Sequence, residues 1–280
     1  MLRIEDLDTP RVLARATQRQ MDDLQWLGLR WDEGPEQDEL LPNDETAGIG
    51  APYTQSLART VYAKALATLH ERGLLYPCDC SRKEIASLTS APHDGEEIRY
   101  AGTCVGQSPH RAMRRPAAWR LRVDQGAVES FTDLRLGPQR APVSDAAGDF
   151  VLQRGDGTYT YQFACAVDDG RAQITDVVRG EDLLGSTARQ RRLQRLLGLS
   201  LPRNYLHIPL IVGTDGARLA KRHRAPTVQE MRLAGRSPES IIGETAYLLG
   251  LQERPAEAPP SAFMGMIPVE KVMRDARRSS

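Results

Sequence analysis

Residues 174–212 read ITDVVRGEDLLGSTARQRRLQRLLGLSLPRNYLHIPLIV, which is the pattern of a strand, a helix and a second strand. Apolar and β-branched residues predict the two strands, at 174–178 and at 208–212. Between them, leucines recur at helical spacing from Ser186, a candidate helix cap, to Gly198, which can end the helix. Strands that alternate with helices favour an α/β fold with a parallel sheet.

Further elements are predicted on both sides of this unit. Before it, we predict a strand remnant at 2–4, a helix from Thr9-Pro10 to Gly28, and a helix that ends at Gly73 and buries Leu57, Val61, Ala65, Leu66 and Leu69. A half-buried strand at 119–123 with its arginines outward and a hairpin at 150–164 around Asp156-Gly157 follow. After it, we predict a capping box of Thr227 with Glu230 and a helix from Ser237-Pro238 to Gly250. Residues 84–116 lack periodicity, which predicts a small inserted module.

Length and composition set the broad class. The chain has 280 residues, enough for about two compact units with a real core. Apolar residues make up 40% and charged residues 26%, which excludes wholesale disorder and a fibrous repeat. Lys plus Arg and Asp plus Glu each number 37, so any RNA contact has to come from local patches. No stretch approaches the roughly 20 apolar residues that span a bilayer, and we expect a cytoplasmic protein.

Two short motifs follow predicted strands. Glu5, Asp6 and Asp8 come after the first strand, and open α/β sheets bind ligands at that end of a strand. A carboxylate there can hold an ammonium group, but from spacing alone solvated acids near a helix start are the favoured explanation. Arg179 follows the strand at 174–178, where its guanidinium can grip a carboxylate with two hydrogen bonds or form an ordinary surface ion pair.

The loop at 217–224 concentrates positive charge. It reads ARLAKRHR and contains Lys221, one of only four lysines in the chain, between Arg218 and Arg222. An ammonium with neighbouring donors can neutralise charge that develops on a transferring phosphoryl group. A merely basic surface loop is the alternative.

Three of the four cysteines lie within 27 positions. Cys78, Cys80 and Cys104 can fill three corners of a tetrahedral zinc site, and free buried thiols are the alternative. A fourth corner is then needed. The candidates are Tyr100, His93, His110 and Asp79.

Taken together and in this order, the motifs resemble the class I glutamyl-tRNA synthetase family, from residue 2 to about residue 250. The segments that carry the resemblance are Arg3 to Asp8, Tyr53-Thr54-Gln55-Ser56, Cys78-Asp79-Cys80-Ser81-Arg82, Tyr159 to Asp169, Arg179-Gly180-Glu181-Asp182-Leu183-Leu184, His207-Ile208-Pro209-Leu210 and Asp215 to Arg222. The chain is most similar to the short branch of the family, because the roughly sixty residues after Lys221 leave no room for an anticodon-binding domain.

The resemblance implies an activity and a set of partners. The family activates glutamate with ATP and Mg²⁺ to an acyl adenylate and transfers it to RNA; in the short branch, the acceptor is the queuosine base of tRNA(Asp). We therefore expect glutamate, ATP and tRNA(Asp) as substrates and a monomeric protein without membrane contact.

The resemblance also assigns roles residue by residue. Glu5 matches the residue that binds the glutamate ammonium, and Tyr161 and Arg179 match residues that line the glutamate pocket. Lys221 matches the second lysine of the Lys-Met-Ser-Lys-Ser loop over ATP, with Arg218 and Arg222 beside it. The short branch implies a zinc site of Cys78, Cys80, Tyr100 and Cys104.

Some family features are missing. The family's first strand and its His-Ile-Gly-His element, which hold glutamate and ATP, should precede Leu2, and Arg218 and Ala220 replace a lysine and a serine of the ATP loop. One explanation is that the start site is placed too late or that the chain is truncated. The other is a naturally short, inactive paralogue. We favour the first explanation. We expect this exact chain to activate glutamate poorly or not at all, which ATP–pyrophosphate exchange measures.

Two alternatives remain for the function. One is a fragment of a glutamyl-tRNA synthetase that charges tRNA(Glu). The other is an inactive RNA-binding paralogue that uses a helix face of four arginines against phosphates, although such a face is usually just solvated. Those residues are Arg189, Arg191, Arg192 and Arg195.

The predicted architecture is a class I aminoacyl-tRNA synthetase domain with a Rossmann-like parallel sheet, a zinc-bearing insertion and a short helical stem. Residues 1–72 and 156–212 are expected to form the two parts of the catalytic domain. Residues 73–155 form the inserted module, and 213–280 form the ATP loop and the stem.

Overall fold

A computed structural model describes residues 1–8, 15–40, 52–87, 99–143, 148–211 and 226–265. The α-helices in this part of the chain are α1 (Ala16–Trp26), α2 (Arg59–Glu71), α3 (Arg82–Ser87), α4 (Tyr161–Arg171), α5 (Leu184–Leu197), α6 (Val228–Leu233) and α7 (Pro238–Leu248). The strands are β1 (Leu75–Cys78), β2 (Ala118–Leu121), β3 (Val128–Asp133), β4 (Gly137–Pro142), β5 (Phe150–Gln153), β6 (Asp176–Gly180) and β7 (Asn204–Ile208).

The strands form two sheets. An antiparallel sheet has the order β1-β2-β5, and a mixed sheet has the order β4-β3-β7-β6. In the mixed sheet, β7 runs parallel to both β3 and β6, so the parallel α/β arrangement predicted from the sequence is confirmed. The predicted domain boundaries stay predictions; β3 and β4, which lie inside the predicted insertion, share a sheet with β6 and β7.

The main core lies where α2, α4 and α5 pack against the antiparallel sheet. Tyr62, Phe163, Leu121, Leu152 and Leu193 are fully buried there. The ring centroids of Tyr62 and Phe163 are 6.4 Å apart. Burying such aromatic and branched side chains contributes about 1.5–3 kcal/mol each, so this cluster holds the helices over the sheet.

Several predicted boundaries are correct. Gly28, Gly73 and Gly198 have positive φ at the ends of their helices, a conformation that a residue without Cβ adopts freely. Thr227 and Glu230 form the capping box, and the Ser237 side chain accepts a hydrogen bond from Ser240 N at the start of α7. The helix start at Thr9-Pro10 lies outside the described residues.

The central strands are displaced from their predictions. The first begins at Asp176 rather than at residue 174, and the second begins at Asn204 rather than at residue 208. The pairing explains the shift of the second strand, because Asp176 lies opposite Asn204 and Gly180 opposite Ile208. Of the strand remnant at 2–4, only Ile4 pairs, in a parallel bridge to Thr54.

Other local predictions are wrong. Ser186 does not cap α5; it is buried inside the helix, where its hydroxyl accepts a hydrogen bond from Gln162. Leu57 is 57% exposed in a turn before α2, and Tyr62 fills the core in its place. In the second arm of the predicted hairpin only Tyr159 bridges back to β5, because helix α4 begins at residue 161.

Two further predictions, on Arg120 and on the segment 84–116, also differ from the structure. Arg120 of β2 is buried rather than outward, with its guanidinium over the Tyr100 ring. The segment 84–116, predicted to be irregular, contains the end of α3. Across the described part of the chain, none of the helices has both the length and the apolar character needed to span a membrane.

Candidate active site

A cavity of about 400 Å³ opens between the N-terminal segment, α4 and β6. Glu5, Tyr161 and Arg179 all line it. The structure thus brings together three side chains that span 174 positions of the sequence, from Glu5 to Arg179. The other two acids of the first motif go elsewhere. Asp6 accepts hydrogen bonds from the Ser56 backbone N and hydroxyl, at 2.8 and 2.6 Å, and Asp8 lies 3.6 Å from Arg154.

Polar residues that the sequence analysis missed also line the cavity, among them Arg3, Cys165, Asp169 and Asp176. Arg3 donates to Asp169 at 2.5 Å and to Glu5 at 3.0 Å, and Cys165 Sγ donates to Glu5 at 3.3 Å. Burial raises the pKa of the Cys165 thiol well above its ordinary value, so the thiol stays protonated. A signal was present, because positions 161, 165 and 169 are spaced by four and share one helix face.

The guanidinium of Arg179 is held on three sides. Its Nε donates to His207 Nε2 at 3.1 Å, Nη1 donates to Gln190 Oε1 at 2.7 Å, and Nη2 donates to Thr187 Oγ1 at 2.6 Å. A guanidinium has five N–H groups, so one N–H on each terminal nitrogen is left over. Two N–H groups are the number that a carboxylate accepts in a paired hydrogen bond.

The electrostatics of the cavity are mixed. It has two guanidinium groups, of Arg3 and Arg179, and three carboxyl groups, of Glu5, Asp169 and Asp176. Burial raises the pKa of Tyr161 to about 12, so its hydroxyl is protonated at neutral pH and is able to donate a hydrogen bond. Such a cavity can hold a small molecule that carries both an ammonium and a carboxylate.

The predicted phosphate-binding residues cannot be located in the same way. Lys221, Arg218 and Arg222 lie outside the described residues.

A second cluster contains the predicted metal ligands. The sulfur atoms of Cys78, Cys80 and Cys104 all lie within 4.8 Å of one another, and Cys80 Sγ is 3.6 Å from Cys104 Sγ. Two thiolates bound to one tetrahedral zinc ion are about 3.8 Å apart. The Tyr100 hydroxyl lies 3.4 Å from Cys78 Sγ and 3.9 Å from Cys80 Sγ. The donor set therefore fits a zinc ion with Tyr100 at the fourth corner.

The other candidates for that corner fit less well. Asp79 is buried, but its carboxylate already accepts hydrogen bonds from Arg111 at 2.6 and 3.0 Å. Hydrogen bonds from Arg111 and Arg114 hold the pKa of Asp79 well below the usual range. His110 is exposed and is not in the cluster. His93 lies outside the described residues.

The arginine face of α5 is not a solvated stripe. Arg189 and Arg191 are buried, and Arg191 Nη1 donates to the Pro202 carbonyl at 3.0 Å. Arg195 binds the buried carboxylate of Glu129 at 2.9 Å. These side chains join the helix to its own sheet, which removes most of the surface on which the RNA-binding alternative depends.

Comparison with solved structures shows the fold. A glutamate-tRNA synthetase from Elizabethkingia anophelis matches with a TM-score of 0.73 and 22% identity, over 100% of this chain and 61% of that chain. A glutamate tRNA ligase from Elizabethkingia meningosepticum matches with the same TM-score, and the match covers 60% of the ligase. This chain thus spans about three fifths of those structures and has the fold of a class I aminoacyl-tRNA synthetase catalytic domain.

Comparison of sequences identifies the family. The family model for "tRNA synthetases class I (E and Q), catalytic domain" matches residues 1–258, and the chain belongs to this family.

Several curated relatives are similar along most of their length. The Glutamyl-Q tRNA(Asp) synthetase of Symbiobacterium thermophilum is 42% identical over 99% of this chain and 84% of its own length. The protein of the same name from Nitratidesulfovibrio vulgaris is 40% identical over 95% and 81%. The Glutamate–tRNA ligase 2 of Nitrosococcus oceani is 41% identical over 89% of this chain and 52% of its own length.

Proposed function

We propose that this protein activates glutamate with ATP and transfers it to the queuosine base of tRNA(Asp). The observation that carries the proposal is the shared cavity of Glu5, Tyr161 and Arg179. The names of the relatives from Symbiobacterium thermophilum and Nitratidesulfovibrio vulgaris support this acceptor, since both align over more than four fifths of their length.

Each cavity residue has a role in this proposal. The carboxylate of Glu5 binds the glutamate ammonium, and the two remaining N–H groups of Arg179 bind its side-chain carboxylate. The Tyr161 hydroxyl donates a third hydrogen bond. Glutamine presents an N–H₂ group to a donor where glutamate presents an acceptor oxygen, so it is a poorer partner for Arg179.

The residues at 217–224 supply the nucleotide side of the reaction. Lys221, with Arg218 and Arg222, neutralises the phosphates of ATP, and Mg²⁺ accompanies them. The glutamate α-carboxylate attacks the α-phosphorus and pyrophosphate leaves. A hydroxyl of the RNA acceptor then attacks the acyl carbon of the adenylate, which forms the glutamyl ester and releases AMP. Positioning and charge neutralisation suffice, without a covalent enzyme intermediate.

The proposal includes a zinc ion at Cys78, Cys80, Tyr100 and Cys104. All four corners come from the protein, which is typical of a structural zinc site rather than a catalytic one. It also includes a monomeric state and a cytoplasmic location, which size-exclusion chromatography and cell fractionation test.

Glutamate binding is tested by calorimetry on the purified chain and an Arg179→Leu variant. Losing hydrogen bonds to a charged group costs about 2 kcal/mol, so we expect the glutamate Kd of the variant to rise about 30-fold. Arg19→Leu, which changes an exposed arginine of α1 away from the cavity lining, is the matched control and keeps the Kd within about twofold. Absence of glutamate binding by the unaltered chain contradicts the proposal.

The acceptor is tested by transfer of labelled glutamate to three RNAs. They are tRNA(Asp) with queuosine, tRNA(Asp) with guanine in its place, and tRNA(Glu). We expect labelling of the first alone; the ratio among acceptors decides the outcome, whatever the absolute rate. Labelling of tRNA(Glu) supports instead the function named for the Nitrosococcus oceani relative.

A further inference from the structure

We infer that Asp133 and His207 position Arg179, the residue proposed to recognise the glutamate side chain. Neither residue is among those that line the described cavity, and both lie buried behind it. The inference rests on the proposed function and adds two positioning residues to it. It is carried by a continuous chain of hydrogen bonds from β3 through β7 to β6.

The first link is the carboxylate of Asp133, at the end of β3. Its Oδ1 accepts hydrogen bonds from the backbone N of Arg135 and Leu136, at 3.0 and 2.8 Å. Its Oδ2 accepts from His207 N at 3.0 Å and lies 2.6 Å from His207 Nδ1. Burial opposes ionisation, but these hydrogen bonds outweigh it and lower the pKa of Asp133. An ionised carboxylate accepts all four bonds, and a neutral amide cannot.

The second link is the imidazole of His207, which is fully buried. Because Nδ1 faces a carboxylate, it carries the proton, and Nε2 is left as the acceptor for Arg179 Nε at 3.1 Å. Burial lowers the pKa of His207, and the neighbouring Arg179 charge lowers it further, so the ring is neutral. The partners on its two sides thus select one neutral tautomer.

The third link is the guanidinium itself. The Nε bond to His207 fixes rotation about the Cδ–Nε bond, and the bonds to Gln190 and Thr187 fix the terminal nitrogens. With the wrong tautomer, an N–H on Nε2 faces the N–H on Arg179 Nε, and the guanidinium has to turn. The two N–H groups left for a carboxylate then turn with it.

The tip of the β3–β4 hairpin makes a second contact that supports this series of hydrogen bonds. Arg135 Nε donates to the His207 carbonyl at 2.7 Å, and its terminal nitrogen forms an ion pair with Glu181. Arg135 of this hairpin therefore holds the carboxyl-terminal end of β7 and the residue that follows β6. Asp133 and Arg135 thus lie in the segment that the sequence analysis assigned to the inserted module, whereas His207 lies in the predicted catalytic domain.

The inference is tested with three variants and a control. His207→Leu removes the acceptor, His207→Gln keeps an acceptor oxygen near the Nε2 position, and Asp133→Asn reverses the tautomer preference. His70→Leu changes an exposed histidine of α2 and is the control. The Kd values for L-glutamate and for ATP are measured by calorimetry, and the ¹⁵N NMR shifts of the His207 ring are measured in the unaltered chain and in Asp133→Asn.

We expect His207→Leu and Asp133→Asn to raise the glutamate Kd at least 10-fold with the ATP Kd changed less than twofold. His207→Gln and the control stay within about threefold of the unaltered chain. The NMR shifts show a protonated Nδ1 in the unaltered chain and a protonated Nε2 in Asp133→Asn.

Three results overturn the inference while glutamate binding by the unaltered chain stands. They are a glutamate Kd within twofold for both His207→Leu and Asp133→Asn, an equal loss of glutamate and ATP binding, and a protonated Nε2 in the unaltered chain. If His207→Leu does not fold, Asp133→Asn and His207→Gln decide. Failure of the unaltered chain to bind glutamate overturns the proposed function instead, and the positioning role with it.

Discussion

Asp168 and Asp169 are adjacent on α4 but have different surroundings. Asp169 lines the cavity and pairs with Arg3, whereas Asp168 is buried and accepts hydrogen bonds from Gln55 at 2.8 Å and from Tyr62 at 2.9 Å. Burial raises the pKa of Asp168 to about 6, despite the opposing charge of Arg3. The ionised form is therefore less stable in the folded protein than in the unfolded chain, where the pKa is about 3.9.

This difference predicts a pH effect on stability. The folded state binds the proton more tightly, so the stabilisation from Asp168 is fully present below about pH 4 and is lost as pH rises through about 6. A shift of about two pKa units corresponds to up to about 3 kcal/mol. Asp168→Asn cannot titrate.

The measurement is the free energy of unfolding of both proteins between pH 4 and pH 7.5. Other groups titrate equally in both proteins, so the difference between the two curves isolates Asp168. We expect the unaltered protein to gain stability relative to Asp168→Asn as the pH falls. A constant difference across this range contradicts the assignment.

The predictability of the site also differs from residue to residue. Glu5 and Arg179 were identified because each follows a strand and matches a family segment. His207 was visible only as part of a matching segment, because its role depends on a partner 74 positions away, Asp133, in a stretch without a motif. Long-range side-chain contacts of this kind leave no periodic signal in a single sequence.

At the scale of elements, α7 shows a constraint that only the packing reveals. A Cβ on Gly243 would lie 1.8 Å from the Ala256 carbonyl oxygen. The same chain segment is tied to α7 by hydrogen bonds from Gln252 Nε2 to the Gly243 and Ala256 carbonyls, at 2.6 and 2.9 Å. The backbone of 252–258 therefore lies directly on the helix.

We expect Gly243→Ala to destabilise the protein by about 1–3 kcal/mol, because backbone rather than a flexible side chain blocks the new methyl group. Gly185→Ala is the matched control. Gly185 lies in α5 with open space around its Cβ position, and alanine is a better helix former there. Urea denaturation of both variants measures the effect; equal stability of the two contradicts the close approach.

Element types were easier to predict than element ends. Helices that end at a glycine with positive φ were located correctly, since that signal is local. The ends of β6 and β7 were not, because the register depends on pairing between strands. Helix α4 was read as a strand over its first turn, since its apolar residues 163–167 are buried on all sides and show no amphipathic period.

At the scale of the whole molecule, the two clusters are separate. None of the proposed zinc ligands lines the described cavity of Glu5 and Arg179, and the cysteine cluster has its own small apolar core with Tyr76. Metal binding to a site that the unfolded chain lacks contributes directly to stability.

We therefore predict one zinc ion per chain, measured by atomic emission. Removal of the ion with a chelator lowers the melting temperature by at least about 4 °C, which corresponds to about 2 kcal/mol for a chain of this size. Cys104→Ser reproduces the loss, and Cys165→Ser does not lose zinc. The glutamate Kd stays within about twofold if the chelated protein remains folded. A metal-free protein with unchanged melting contradicts the site.

The β3–β4 hairpin has a consequence for protein engineering. A chimaera that exchanges residues 128–142 with a relative changes the support of the binding pocket as well as the two strands of the hairpin. Such an exchange is expected to preserve amino-acid selectivity only where the donor hairpin carries an aspartate and an arginine at the positions of Asp133 and Arg135. Insertions or tags are better placed elsewhere on the surface than at the turn that joins the two strands.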